Sequence, residues 1–93
     1  MTQHVLFVDD DPSFLDGLRR ILHNQRGRWE MTFVTSVDEA VECVDTRTVD
    51  TIVSDVMLPG KNGFDLLRAV TASSASHHVP VIMMTGACQR NLK

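Results

Sequence analysis

The residues with the most capacity for chemistry in this chain are acidic: Asp9, Asp10 and Asp11 in one run, and Asp55 much farther along. Each follows a short apolar segment, His4-Val-Leu-Phe-Val8 or Thr51-Ile-Val-Ser54, that reads as a buried strand. If those two strands are neighbours, Asp10 and Asp55 project from them about 5 Å apart. Two like charges at that distance repel by roughly 3 kcal/mol at an effective dielectric near 20, and Asp9 adds to the repulsion. Such a cluster is costly unless an acid is protonated or a cation bridges them. With oxygen ligands only, and no histidine or cysteine beside them, the donors suit a hard ion, Mg2+ ahead of Ca2+ because so few protein ligands are offered. Asp11 has a separate task, since Pro12 follows it and the pair reads as a helix N-cap and first turn.

The elements that must hold these residues alternate along the chain. After the first strand, Phe14, Leu15, Leu18, Ile21 and Leu22 recur at helical spacing, with Gly27 as the expected stop. Met31 to Thr35 is a second strand. Ser36-Val-Asp-Glu39 is a capping box, and Val37, Ala40, Val41 and Val44 form the apolar stripe of the helix it opens. Thr51 to Ser54 is the third strand. Pro59, Gly60, Asn62 and Gly63 break the chain before a third helix carrying Phe64, Leu67 and Val70. Val79-Pro-Val-Ile-Met-Met84 is a fourth strand with its proline at the start, where a missing N–H is tolerated. The order βαβαβαβ predicts a parallel sheet with helices on both faces, joined by right-handed crossovers. In such α/β sheets ligands bind at the carboxyl ends of the strands. Those ends are Asp9 and Asp10, Asp55, and Thr85 with Gly86.

Composition narrows the function classes. Ninety-three residues, 43% hydrophobic and 23% charged, are the numbers of one ordinary globular domain. The two cysteines, Cys43 and Cys88, offer neither a disulfide framework nor zinc-finger spacing, which fits a reducing cytoplasm. Neither a membrane span nor a secretory leader is visible. A net charge of −3 argues against direct nucleic-acid binding by this segment.

The segments Val5-Leu-Phe-Val-Asp9-Asp10-Asp-Pro12 and Val53-Ser-Asp55-Val-Met-Leu-Pro59-Gly-Lys-Asn-Gly63, with Thr85 after the fourth strand, resemble the receiver domain of two-component response regulators. The resemblance runs from residue 4 to about residue 87. It implies a flavodoxin-like, doubly wound sheet of strand order 2-1-3-4-5, of which the fifth strand and last helix are missing from this chain. It further implies that Asp55 is the phosphoacceptor and that Mg2+ is held by Asp9, Asp10, Asp55 and the backbone carbonyl of Met57. Asp10 would bind the metal directly and Asp9 mainly through a water, while Thr85 would contact the phosphoryl group and act as a switch. The implied partners are a sensor histidine kinase or histidine phosphotransfer protein, and an output domain or partner beyond residue 93. No membrane contact is implied.

There are departures. Leu58 stands where methionine is usual, and the lysine that ends a receiver's fifth strand has no counterpart, since Lys61 lies in the wrong loop and Lys93 comes too early. Residues 1–93 therefore read as a C-terminally incomplete receiver, expected to be unstable or oligomeric alone, with the exposed edge of the fourth strand as a surface for dimerisation. A divergent receiver that acts as a phosphorylation-independent interaction domain is the alternative. An aspartate-based phosphohydrolase fits less well, because that class wants a second acid two residues past its nucleophile and Met57 is there instead. Among the remaining signals, His77-His78 reads as loop, and His4 and His23 as surface or helix-end residues. Trp29 reads as half-buried at a strand start, Met83 and Met84 as core, and Gly17 as a close helix contact. Arg19, Arg20, Arg26 and Arg28 form a basic patch near one helix end, with a solvated face as the default and kinase docking as the sharper reading.

Overall fold

The computed structural model describes residues 3–56, 63–72 and 79–84. Its elements are β1 (Gln3–Val8), α1 (Pro12–Ile21), β2 (Trp29–Val34), α2 (Val37–Thr46), β3 (Thr51–Asp55), α3 (Gly63–Ala72) and β4 (Val81–Met84). All strand pairs are parallel and the sheet order is β2-β1-β3-β4, the expected doubly wound order through its fourth strand.

The caps form as the sequence predicts. Asp11 is extended, with φ −100° and ψ 102°, and its Oδ1 accepts the N–H of Ser13 at 3.0 Å and of Phe14 at 3.3 Å. At α2 the Ser36 hydroxyl accepts the Glu39 N–H at 3.2 Å. Glu39 reaches back one residue past the cap, accepting the N–H of Thr35 at 3.0 Å and its hydroxyl at 2.9 Å. The Thr35 N–H foremost, and then its hydroxyl, holds the Glu39 carboxyl below the usual carboxylate range.

The core lies on one face of the sheet. Successive strand side chains alternate in direction, so Leu6 and Val8 of β1 and Ile52 of β3 share a face, and all three are fully buried. Against them pack Val37, Ala40, Cys43 and Val44 of α2 and Leu66 and Val70 of α3. The opposite face carries Val5, Phe7, Val53 and Ile82. There α1 buries only Leu15, and Ile21 and Ile82 remain 75% and 53% exposed. Phe7 stacks on Phe33 with ring centroids 5.0 Å apart, and the Arg19 guanidinium lies 4.8 Å above the Phe33 ring.

Several elements differ from expectation. The α1 helix ends at Ile21 and the chain continues in a 3-10 turn over His23–Gln25, because His23 to Arg28 offer no apolar side chain to hold an α-helical register. The second strand starts earlier, at Trp29, which pairs with Gln3; Trp29 is half-buried as expected. The buried stripe of α3 is Gly63, Leu66 and Val70, while Phe64 and Leu67 are 51% and 39% exposed. His4 is buried, at 4% exposure. Its Nδ1–H donates to the Thr48 carbonyl at 2.6 Å, its Nε2 lies 2.7 Å from the Thr32 hydroxyl, and its backbone N–H donates to Asp50 at 2.7 Å. Gly17 has open space where a Cβ would stand, so close packing does not explain it. Met83 and Met84 are half-buried, with β4 at the margin of the described sheet.

Candidate functional site

The site follows from the register of the two central strands. Val8 pairs with Ser54, so the residues immediately after β1 meet the last residue of β3. Carboxylate oxygens of Asp9, Asp10 and Asp55 come within 4.8 Å of one another. Asp9 and Asp55 have no exposed surface, whereas Asp10 faces solvent. Two of the three acids are therefore buried and one is open to solvent.

The two buried acids, Asp9 and Asp55, are fixed by backbone. The N–H of Asp9 donates to the Val34 carbonyl at 3.1 Å, extending β1 along β2 beyond its last paired residue. Its Oδ1 accepts the Asp11 N–H at 2.9 Å, which ties the acid to the start of α1. Asp55 closes β3 opposite Met84, and the next N–H, of Val56, donates to the Met84 carbonyl at 3.1 Å. The Gly63 N–H then donates to the Val56 carbonyl at 2.9 Å, pinning the first turn of α3 to the strand end.

Gly63 is the residue that the sequence undervalued. The sequence reads it as a chain break and as the end of the receiver-like turn after Asp55, yet a Cβ at this position would lie 2.9 Å from the Asp55 carbonyl oxygen, 2.8 Å from the Met83 sulfur and 3.2 Å from the Val56 Cα. Real Cβ atoms do not approach backbone that closely, so only glycine lets α3 sit this near the end of β3. Along the same helix Leu66 rather than Leu67 turns inward. The one available signal was the glycine's place at the end of a Pro-Gly-Lys-Asn-Gly run that also opens a helix.

The donor set fits a hard divalent ion: three carboxylates, oxygen only, with two of them buried where uncompensated like charges are costly. Cys43 lies elsewhere in the core, and burial pushes its thiol up, away from thiolate chemistry. Of the residues expected at the site, Asp9, Asp10 and Asp55 are brought together. Met57 and Thr85 lie outside the described residues, as do Leu58 to Asn62, His77, His78, Gly86, Cys88 and Lys93. Among the described residues no helix is long and apolar enough to cross a membrane.

Comparison with known proteins places the chain in context. The family model described as the response regulator receiver domain matches residues 5–93. The DNA-binding response regulator MtrA of Mycolicibacterium smegmatis is 34% identical over 85 residues, covering 91% of this chain and 35% of that protein. The regulatory protein VanR of Enterococcus faecium is 30% identical, covering 92% and 35%. The chain thus spans about a third of the length of these curated relatives. Among solved structures, the chemotaxis response regulator CheY4 of Vibrio cholerae superposes with a TM-score of 0.79 at 28% identity, covering 89% of this chain and 68% of that one. The receiver domain of sensor histidine kinase PA1611 from Pseudomonas aeruginosa, solved with magnesium coordinated in its active-site cleft, shares the fold with a TM-score of 0.82 at 24% identity, covering 98% and 73%.

Proposed function

This chain belongs to the response regulator receiver domain family, and from that premise we propose that it accepts a phosphoryl group on Asp55 in a Mg2+-dependent reaction and so switches a downstream output. The observation that carries this reading is the meeting of Asp9, Asp10 and Asp55 carboxylates from two adjacent strands within 4.8 Å, with Asp55 fully buried beneath them.

In this reading the Asp55 carboxylate attacks phosphorus of a phosphohistidine on a sensor kinase or phosphotransfer protein. The N–P bond breaks, the imidazole leaves with its electron pair, and an acyl phosphate forms on Asp55. Most of the catalysis is positioning and charge neutralisation. Asp9, Asp10, Asp55 and the Met57 carbonyl would hold the Mg2+, which supplies charge compensation for the phosphoryl oxygens. Asp9, fixed by the Asp11 N–H, orients the acidic pair, and exposed Asp10 keeps the pocket open to ion and donor. Thr85, following β4, would contact the phosphoryl group and report its presence. The chain modifies itself rather than turning over substrate, and a cytoplasmic place suits a phosphohistidine donor. The output domain or partner would be joined to, or recognised by, the phosphorylated receiver.

The test is intact-mass analysis after incubation with phosphoramidate and Mg2+. Wild type gains one phosphoryl group and Asp55→Asn gains none; undiminished labelling of the Asn variant refutes the assignment. Mg2+ at tenfold excess over its Kd stabilises the wild type by about 1.4 kcal/mol. That gain disappears in Asp10→Ala and shrinks less in Asp9→Ala. A chain that neither labels nor gains stability with Mg2+ is instead a phosphorylation-independent interaction domain.

A further inference from the structure

Away from the acidic cluster, at the opposite end of α1, charge of the other sign is concentrated. Between Gly17 and Trp29 the chain carries Arg19, Arg20, Arg26, Arg28 and His23 and no acid, so four of its nine lysines and arginines fall in one short stretch of a molecule whose net charge is −3. Ten helical residues at ~1.5 Å each separate this end from the Asp11 cap by about 15 Å. Among the described residues, neither Arg26 nor Arg28 makes an ion pair, while Arg20 is paired with Asp16 at 3.2 Å.

These charges border a groove of about 340 Å³ between the end of α1 and β2, with Arg19, His23 and Arg26 on its rim and Trp29, Met31 and Phe33 as its apolar wall. Glu30 also borders it, but Arg47 compensates that carboxylate at 2.6 Å. The wall is an edge strand: among the described residues β2 has a partner, β1, on one side only. Its outer N–H and C=O groups are a template for strand addition.

We propose that this groove docks an extended acidic segment of a partner protein, which adds as a strand beside β2. Its backbone pairs with the free edge, an apolar side chain rests on Trp29 and Met31, and its carboxylates meet Arg19 and Arg26. The strand edge favours a peptide over other polyanions, because neither nucleic acid nor a lipid surface supplies backbone groups to pair with it. The arginines set charge preference and the edge sets conformation. This surface lies beyond the phosphoacceptor reading and does not depend on it.

Trp29 is the chain's only tryptophan, so its emission reports the groove directly. The intact chain is titrated with a decapeptide of alternating glutamate and valine, with its lysine–valine counterpart, with oligo-dT, and with phosphatidylserine vesicles. The acidic peptide is expected to shift Trp29 emission and to bind at least about tenfold tighter than the basic one, with affinity falling as salt rises. Arg26→Glu is expected to weaken it by on the order of tenfold and to improve the lysine–valine peptide. An acidic peptide N-methylated on every amide keeps its charge and has no N–H left to pair on either edge, so it should no longer bind. Binding unaffected by Arg26→Glu, equal binding of the N-methylated peptide, or tighter binding of oligo-dT or vesicles would each overturn the proposal. Circular dichroism of Arg26→Glu, with the Mg2+ stability gain as a second check, separates loss of the groove from loss of the fold.

Discussion

The two faces of the sheet differ more than any other two regions of this molecule. On the face covered by α2 and α3, Leu6, Val8, Ile52 and Leu66 have no exposed surface and form one continuous core. On the α1 face the register Phe7–Val53–Ile82 lays out an equally apolar row. There Ile82 and Ile21 stand open, and a groove of about 440 Å³ runs between Val5, Val53, Leu22 and Trp29. The sequence composition of the faces is alike; their cover is not. Apolar residues alone do not make a core, because each needs a second layer to remove it from water. The stability of the described molecule therefore rests on one face, and its room for association lies on the other.

That contrast can be broken experimentally. The largest effect is expected on the closed face, where Leu66→Ala should cost about 3 kcal/mol in urea unfolding, against well under ~1 kcal/mol for Ile82→Ala. Equal losses would show that the open face is covered in solution. Next is Gly63→Ala, which forces a methyl group against the Asp55 carbonyl and should cost roughly 1–3 kcal/mol. Because that contact is with backbone, pairing it with Met83→Ala should recover only part of the loss; full recovery would locate the strain in the Met83 side chain instead. On the open side Gly17→Ala should stabilise by ~0.5–1 kcal/mol, since the site has space and alanine is the better helix former. The smallest effect concerns Glu39. Its carboxyl titrates below the usual range when folded, so its contribution is complete above that range and fades as pH falls through the lowered value. The Glu39→Gln variant should lack this dependence, and the difference should appear in melting temperatures compared between neutral and acid pH.

Much of this was legible in the sequence because it is local. Asp11 with Pro12 and Ser36 with Glu39 carry their capping partners within a few residues, and both caps form. The apolar runs of β1 and β3 are short and bounded, and their alternation with helical patterns fixes the parallel order. The acidic cluster followed from the rule that strands end at the site. What was not legible depends on contacts between distant residues. His4 looks like a surface residue until Thr32, Thr48 and Asp50 are brought to it by folding. The face of α3 that turns inward depends on how the helix packs on the sheet and on α2, so a periodicity satisfied equally by Leu66 or Leu67 could not choose between them.

The pairing of β1 with β3 also sets a condition on how the molecule comes into being. The strand β1 is central, yet its inner neighbour β3 is synthesised only after α1, β2 and α2. Val5 must wait for Thr51, and the His4 amide for the Asp50 carboxylate, a contact spanning 46 positions. Such nonlocal pairing must pay for loop closure before it gains any contact, which slows folding relative to a helical domain of equal size. Asp9 and Asp55 are joined by the same pairing. The acidic pocket cannot be assembled early and then enclosed; its repulsion is present in the very step that zips the centre of the sheet. A divalent cation in the refolding buffer should for that reason act on the rate of folding as well as on the final equilibrium.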